Sequence, residues 1–306
     1  MLEPVVALAR LASYGEKNLS SIVGDILDKS WPTVSPGSRI LVKPNLLLAR
    51  ELACASPEIT AAVCGWLLDR GAKLVVSDSP AFGAAAYVAR KIGLEAALKP
   101  LGLRVVPFAK TRSIKAEFDF EGKRERGVFK IAAVALEVDE IYSVARVKAH
   151  SQTRLTLCAK NCFGCVPGWR KALVHASHGQ TTEIFAAFLA ELYKSLPPVK
   201  GVADGVIAMH ITGPAKGAPY PLGLVGASNL ATALDEAIIR ALKRPVADFP
   251  LAARFGASKE IFYPFLKPED FDANGFILPE KLKPASFSPV RLLKSAIKRL
   301  WMSGKS

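Results

Sequence analysis

Short apolar segments alternate with amphipathic segments along the first 110 residues of the chain. Each apolar segment is bounded by proline, glycine or polar residues, which predicts a buried strand. The predicted strands are VVALARL, SRILVKPN, AKLVVSDSP and LRVVPF. The predicted helices are NLSSIVGDILDKSW, SPEITAAVCGWLLDRG and AAAYVARKIGLEAALKPLG, the last as one or two helices. Strands and helices in alternation are typical of a parallel sheet with right-handed crossovers.

The alternation continues beyond residue 110. AEFDFEG through GVFKIAAVALE predicts a short hairpin and a helix, and TTEIFAAFLAELYKSL and LATALDEAIIRAL predict helices. Further strands are predicted at DEIYSVARVK, VKGVADGVIAMH and GLVGAS. We therefore predict an α/β fold with a mainly parallel, mixed sheet, helices on both faces and a ligand crevice at the carboxyl ends of the strands. Residues 1–243 form this domain, as one body or as two lobes divided near 110–140. Residues 244–286 form an irregular, Pro-rich extension.

Polar residues follow several predicted strands, at the sheet edge where ligands of open α/β proteins bind. They occur in the motifs KPN, SDSP, VKAH and HITGPAKG. Plain strand exits and helix N-caps would give similar motifs. The candidate anion-binding residues at this edge and in the segment after it are Lys43, Asn45, Asp78, Ser79, Lys148, Asn161, Lys171 and Lys216.

The net charge of +14 is concentrated in two segments. Residues 141–182 contain six lysines or arginines and no acid, and residues 281–306 contain seven and no acid. Packed like charges are costly, so the first segment is expected to face an anionic ligand and the second a membrane or nucleic acid. The chain has no apolar run of about 18 residues, the length that a spanning helix needs. The five cysteines favour a reduced, cytoplasmic protein over a disulfide scaffold.

The segment 150–178 has three interpretations. The spacing of Cys158, Cys162 and Cys165 is that of three ligands to an iron–sulphur cluster. Alternatively, the segment is a basic loop and helix whose histidines lie in the core or on the surface. In the third interpretation it binds an anion, a proton or a metal, with Lys160 as a base or covalent anchor. His150 and His175 are then acid–base groups or metal ligands.

The blocks ILVKPNLL, VSDSP, VKAHSQTRLTLCAKNCFGCVPGWRKALVH and ADGVIAMHITGPAKG resemble family 362 of the domains of unknown function, roughly from Arg39 to Ala237. The third block is also similar to one in the lactate racemase family, whose cofactor is a nickel-pincer nucleotide. That similarity implies His150 and His175 as metal ligands or acid–base groups and Lys160 as the cofactor anchor, with His210 as a further metal ligand. His210 and Asn229 stand where family 362 is expected to have acids.

The final segment, SPVRLLKSAIKRLWMSGKS, predicts a basic amphipathic helix at 287–306. Such a helix either lies on an anionic membrane through residues 288–302 or docks on the core. No nucleic-acid recognition motif accompanies it.

We expect a cytoplasmic enzyme, peripheral at the inner face of the membrane if the tail binds lipid. It would act on a small or nucleotide-like anion by isomerase- or redox-type chemistry, with Lys160, His150 and His175 as catalytic residues. The alternative function is a non-catalytic protein that binds or carries a ligand, metal or cofactor.

Overall fold

A computed structural model describes residues 3–31, 33–120, 123–258 and 260–283, so the predicted terminal helix lies outside the described residues. The strands are β1 (Val6–Arg10), β2 (Arg39–Pro44), β3 (Lys73–Val76), β4 (Thr111–Phe120), β5 (Lys123–Ala132), β6 (Glu140–His150), β7 (Arg154–Thr156), β8 (Val199–His210), β9 (Ala218–Tyr220) and β10 (Leu224–Ser228). The helices are α1 (Leu19–Ser30), α2 (Pro57–Asp69), α3 (Ala85–Lys91), α4 (Leu94–Leu98), α5 (Cys158–Asn161), α6 (Arg170–His178), α7 (Thr182–Lys194), α8 (Ala231–Ala241) and α9 (Pro250–Phe255).

The main sheet has the strand order β1-β10-β8-β6-β2-β3. Strands β8, β6, β2 and β3 run parallel, whereas β10 is antiparallel to both of its neighbours. The short strands β7 and β9 pair with the ends of β6 and β8. The predicted α/β fold with a mainly parallel, mixed sheet is therefore confirmed. Strands β4 and β5 form a separate antiparallel pair in the region where a division into lobes was considered.

Helices cover both faces of the sheet because successive side chains of a strand point to opposite faces. On β2, Val42 belongs to the core beneath α1 and α2, and Leu41 belongs to the core beneath α7 and α8. Helix α2 begins as its sequence predicts, with Ser56 Oγ accepting a hydrogen bond from Ile59 N at 3.2 Å and with Pro57 in the first turn. Both cores consist mainly of aliphatic residues, as expected for buried parallel strands.

Two predicted elements differ from the structure. LRVVPF is not a strand of the sheet, since Val105 makes only an isolated bridge to Val76. Pro107 follows shortly and has no amide hydrogen with which to extend the ladder. The helix predicted in IAAVALE is a single 3₁₀ turn, Ala133–Leu136, because β5 continues to Ala132.

Residues 244–283 are irregular apart from α9 and two 3₁₀ turns. This extension is attached to β1 through a hydrogen bond from Val6 N to Phe262 O at 2.9 Å. Its last part reaches the carboxyl edge of the sheet, where Ile211 N donates to Ile277 O at 2.8 Å and Lys283 N donates to Ser151 O at 2.7 Å. The extension therefore covers the edge at which β6 and β8 end.

Within the described ranges, no helix is both long enough and apolar enough to cross a membrane.

Candidate functional site

Lys43 and Asp78 form a buried ion pair at the carboxyl ends of β2 and β3. Lys43 Nζ donates to Asp78 Oδ1 at 2.8 Å and to Asn161 Oδ1 at 2.9 Å. The side chains of Lys43 and Asp78 are 0% and 2% exposed. A buried charge needs such partners because desolvation is otherwise costly. The structure thus brings these three predicted residues together, with each of them bonded to protein atoms.

Asn161 connects this ion pair to the central strands. Its Nδ2 donates to Lys43 O and to Ser143 Oγ, both at 3.0 Å, and its Oδ1 also accepts from Asn45 Nδ2 at 3.1 Å. The Oδ1 of Asn45 is buried and has no hydrogen-bond partner among the described residues. Asn45 is therefore the member of the network that keeps an unused acceptor.

Gly164 allows the backbone after α5 to pass directly over the ion pair. A Cβ atom at this position would lie 2.2 Å from Lys43 Nζ and 2.6 Å from Lys43 Cε. Such a contact is far inside van der Waals distance, so the chain needs glycine here. The Lys-Asn-Cys-Phe-Gly motif therefore has a packing role in which its asparagine bonds to the ion pair and its glycine covers it.

Asp235 of α8 holds the start of α5. Its carboxylate accepts hydrogen bonds from Cys158 N at 2.7 Å and from Ala159 N at 2.9 Å, two amides that a short helix leaves unpaired. Burial raises the pKa of Asp235 to about 7. Sequence reasoning missed this residue, although an acid inside the apolar pattern LATALDEAIIRAL was a usable signal.

Four lysines, which we name the lysine cluster, lie close enough for their charges to interact. Burial, followed by the charges of its three neighbours, lowers the pKa of Lys160 to about 7. Lys160 is half-buried, whereas Lys148 is buried and its Nζ donates to Ala53 O at 2.5 Å. Burial lowers the pKa of Lys148 to about 8. The cluster consists of Lys43, Lys148, Lys160 and Lys171.

His150 and His175 both lie beside this cluster. Burial and then the charge of Lys160 hold the pKa of His150 well below its usual value, and the same two causes lower the pKa of His175 to about 3. The Nδ1 of His150 accepts a hydrogen bond from Gln152 N at 3.0 Å, which fixes the ring. The three predicted catalytic residues therefore share one environment, in which both imidazoles are neutral at pH 7.

Ser79, just after β3, accepts hydrogen bonds from the start of α6. Gly168 N donates to Ser79 Oγ at 2.8 Å, and Lys171 Nζ donates to Ser79 O. Trp169, the residue before α6, and Leu173, on the face opposite Lys171, are 58% and 51% exposed. Helix α6 thus contributes Lys171 to the lysine cluster and exposes apolar side chains to solvent.

The three cysteines of the segment are core residues. Cys158, Cys162 and Cys165 are buried in the core that packs against α7 and α8. Burial raises the pKa of Cys165 to about 11 and the pKa values of the other two well above the usual range. Cys158 Sγ and Cys162 Sγ make hydrogen bonds to the carbonyl oxygens of Val202 and Cys158. Within the described part of the chain the three thiols are not grouped to hold a metal ion, so the donor set does not fit the iron–sulphur cluster.

His210 lies in a different environment from His150 and His175. Its ring packs against Tyr220 and Phe276, with centroids 5.2 Å and 5.7 Å away, and its Nδ1 accepts from Ile277 N at 3.4 Å. Among the residues that the structure describes, no three histidines, cysteines or acids are grouped to hold a metal ion. His150, His175 and His210 are therefore not grouped as three ligands of one metal ion. Lys216 is exposed in the loop after β8.

Sequence reasoning also missed the buried pair of Arg146 and Asp204. Arg146 Nη1 lies 3.4 Å from Asp204 Oδ1, and Tyr14 bonds to both side chains. Asp204 Oδ2 accepts from Ser56 N at 2.7 Å, so the pair also fixes the start of α2.

Asn229, where an acid was expected, bonds to the backbone before β1 at Val5 N and Glu3 O, both at 3.0 Å.

Two similarities to known proteins cover these residues. The chain is 32% identical to the Thylakoid-associated protein sll1697 of Synechocystis sp. over 309 residues, which span 97% of this chain and 94% of that protein. Residues 40–240 match the model of the family described as "Domain of unknown function (DUF362)". This range contains the ion pair, Asn161 and the whole lysine cluster. The chain belongs to the DUF362 family.

Proposed function

We propose that this protein is an enzyme that binds a small anion at the lysine cluster and moves a proton through Lys160. The observation that carries the proposal is the convergence of Lys148, Lys160 and Lys171 with two neutral imidazoles. Asp78, which contacts the cluster at Lys43, already forms an ion pair with that lysine. An added anion would therefore relieve the repulsion between Lys148 and Lys160.

The chemistry follows from the state of Lys160. An amine whose pKa is near neutral can accept a proton and return it, which is what a general base in an isomerase must do. His150 and His175 are neutral at the same pH and supply a donor or an acceptor beside it. Proton transfer next to a carboxylate or phosphate group is the reaction class that these groups support best.

The test measures proton uptake on binding. Inorganic phosphate and L-lactate are titrated calorimetrically at pH 7.5 in two buffers of different ionisation enthalpy. Because a bound anion favours the ammonium form, we expect the wild-type protein to take up a proton. Lys160→Met should weaken binding at least about tenfold and reduce the uptake to the part contributed by Lys148, and Lys160→Arg should bind with the same reduced uptake. Lys73→Met, exposed at the opposite edge of the sheet, is the control. Unchanged binding by Lys160→Met and Lys148→Met would refute the site.

Catalysis is tested separately from binding. A panel of small hydroxy and keto carboxylates is incubated with the protein in D₂O, and loss of the proton signal next to the carboxylate is followed by NMR. Exchange that disappears in Lys160→Met supports an enzyme. Binding without exchange supports the rival function, a non-catalytic ligand carrier.

A second proposal concerns location: a cytoplasmic protein that associates peripherally with the inner face of a membrane. It is supported by the exposed Trp169, immediately before α6, and Leu173, one turn further along the helix, with the Arg170 guanidinium 5.4 Å from the Trp169 ring. Aromatic rings and cations of this kind favour the lipid headgroup region. The Synechocystis relative is named as thylakoid-associated. The basic segment 288–302 is the other candidate contact.

Co-sedimentation with vesicles of anionic phosphatidylglycerol separates the two contacts. We compare the full chain, a chain ending at residue 286, and the double variant Trp169→Ser with Leu173→Ser. Phe262→Ser, which alters an equally exposed ring, is the matched control. Loss with the truncation assigns lipid binding to the tail, and loss with the double variant assigns it to α6. Equal sedimentation of all four proteins, or none by any, would reject both assignments.

A further inference from the structure

A cavity of about 370 Å³ lies at the carboxyl edge of the sheet, between β7 and the Pro-rich extension. Its apolar part is formed by Phe249, Phe276 and Leu278, which are all buried. The wall at residues 275–280 is fixed by hydrogen bonds from Ile211 N to Ile277 O and from Ile277 N to His210 Nδ1. This contact gives His210 a role that differs from metal binding, because its ring supports one side of the cavity.

Arg154 lines the cavity from the first position of β7, opposite His150 in the strand register. Its backbone has φ +67°, in the left-handed region that favours glycine. A long side chain is kept at a position where it strains the backbone, and such strain is concentrated at binding sites. The arginine side chain is therefore the feature that needs an explanation.

The guanidinium of Arg154 contains a buried N–H without a protein acceptor. Its Nε is inaccessible to solvent and has no hydrogen-bond partner within the part of the chain that the structure describes. Buried donors of this kind are paired in native structures, because an unpaired one pays its full desolvation cost. Because Arg154 is only half-buried and lines the cavity, a ligand that turns the guanidinium towards the cavity would supply this acceptor.

We propose that this cavity binds a monoanionic carboxylate that carries an aromatic or branched apolar group. The planar guanidinium matches the two oxygens of a carboxylate, and the buried phenylalanines fit the apolar part. Arg244 adds a second cation to the lining, whereas Asp248 and Glu280 add two negative charges. These acids repel a ligand with several negative charges, so the cavity discriminates against phosphates and nucleotides. The site is distinct from the lysine cluster and does not depend on the function proposed there.

Benzoate is the probe, with benzamide as its neutral analogue and inorganic phosphate as the polyanionic comparison. Binding is measured by calorimetry and by saturation-transfer NMR. We expect benzoate to bind at least about tenfold more tightly than benzamide, because a charged hydrogen bond to Arg154 is lost in the amide. Phosphate should not compete for the cavity. Equal affinity for benzoate and benzamide, or displacement of benzoate by phosphate, would overturn the proposal.

Arg154→Gly separates a binding role from a structural one. Glycine relieves the backbone strain, so the variant should unfold at the same or a higher temperature while its affinity for benzoate falls at least about tenfold. Lys243→Gly relieves a similar conformation, φ +56°, at a residue that does not line the cavity, and should bind normally. Lys160→Met should also bind normally. Benzoate binding that survives in Arg154→Gly, or is lost in Lys160→Met, would overturn the assignment. If Arg154→Gly does not fold, Arg154→Lys provides the same test, with weaker binding expected because the planar fork is lost.

Discussion

Gly164 packs against Asp78 so closely that a Cβ atom at position 164 would lie 2.0 Å from the carboxylate Oδ1. The same atom would collide with Lys43, so the ion pair and the backbone above it occupy one tightly filled volume. Neither the ion pair nor this backbone segment can move without exposing a buried charge. The conformation of the segment between α5 and α6 is thereby coupled to the ends of β2 and β3.

Gly164→Ala is expected to lower the free energy of unfolding by about 1 to 3 kcal/mol, because overpacking forces the ion pair or the backbone to shift. Urea unfolding measures the loss. The control is Gly24→Ala in α1, where the nearest atom to the new methyl group would be 3.7 Å away. Alanine should stabilise that helix by up to about 1 kcal/mol. Equal stabilities of the two variants would contradict the packing described here.

Lys160→Met is expected to stabilise the protein, most strongly at low pH. The folded-state pKa of about 7 lies below the ordinary value of 10.5, so between these values the unfolded chain binds the proton and the folded protein does not. The cost of the charged amine is therefore complete below about pH 7 and disappears as the pH rises towards 10.5. Urea unfolding at pH 6, 8 and 9.5 should show the advantage of the variant shrinking with pH.

The control for this prediction is Lys73→Met, since Lys73 is exposed at the start of β3. Its stability relative to wild type should not depend on pH over the same range. A pH-independent difference for Lys160→Met would mean that Lys160 stays charged in the folded protein.

Asp235→Asn should change how the free energy of unfolding depends on pH below about 7. The folded-state pKa of about 7 lies above the ordinary 3.8, so the folded protein binds more protons than the unfolded chain between these values. The wild-type protein should therefore lose stability relative to the variant as the pH rises from about 4 to about 7. Asp25→Asn, on the exposed side of α1, is the control with no such trend. Parallel profiles for wild type and Asp235→Asn would show that Asp235 remains ionised.

Asp204→Ala should be among the more damaging substitutions of the fold. It leaves the guanidinium of Arg146 buried without its carboxylate, and loss of one partner of a buried pair costs about 3 to 5 kcal/mol. Tyr14→Phe removes the hydroxyl that bonds to both side chains and to Ile207 N but leaves the ion pair in place, so it should cost about 1 to 3 kcal/mol. Thermal unfolding compares the two variants. A smaller loss for Asp204→Ala than for Tyr14→Phe would show that Arg146 gains other partners.

The periodicity of apolar residues was sufficient to predict the class of fold and the sheet edge at which several of the candidate residues meet. Strand-like segments end at Lys43, Asp78 and His150, and parallel strands bring their carboxyl ends to one edge. What the pattern could not supply was the partner of each charged group. Lys43 and Asp78 appear as two ligand contacts in sequence, whereas in the structure they neutralise each other.

The assignment of the histidines shows the same limit. His150 and His210 are the last residues of β6 and β8, and Lys148 is paired in register with Met209. His210 then packs against Tyr220 and Phe276, the second of which lies in the extension. An irregular segment has no periodic pattern of apolar residues, so its contacts could not be predicted from the sequence. For the same reason the sequence did not indicate Arg154, because the cavity that it lines is formed partly by that segment.

The hydrogen bond from Lys283 N to Ser151 O links two distant parts of the chain. It places Lys283, the last residue that the structure describes, beside the residue that follows His150 along the chain. The contact lies at the carboxyl edge of the main sheet, where β6 ends. A displacement of the extension at Lys283 would therefore be transmitted to the backbone next to His150.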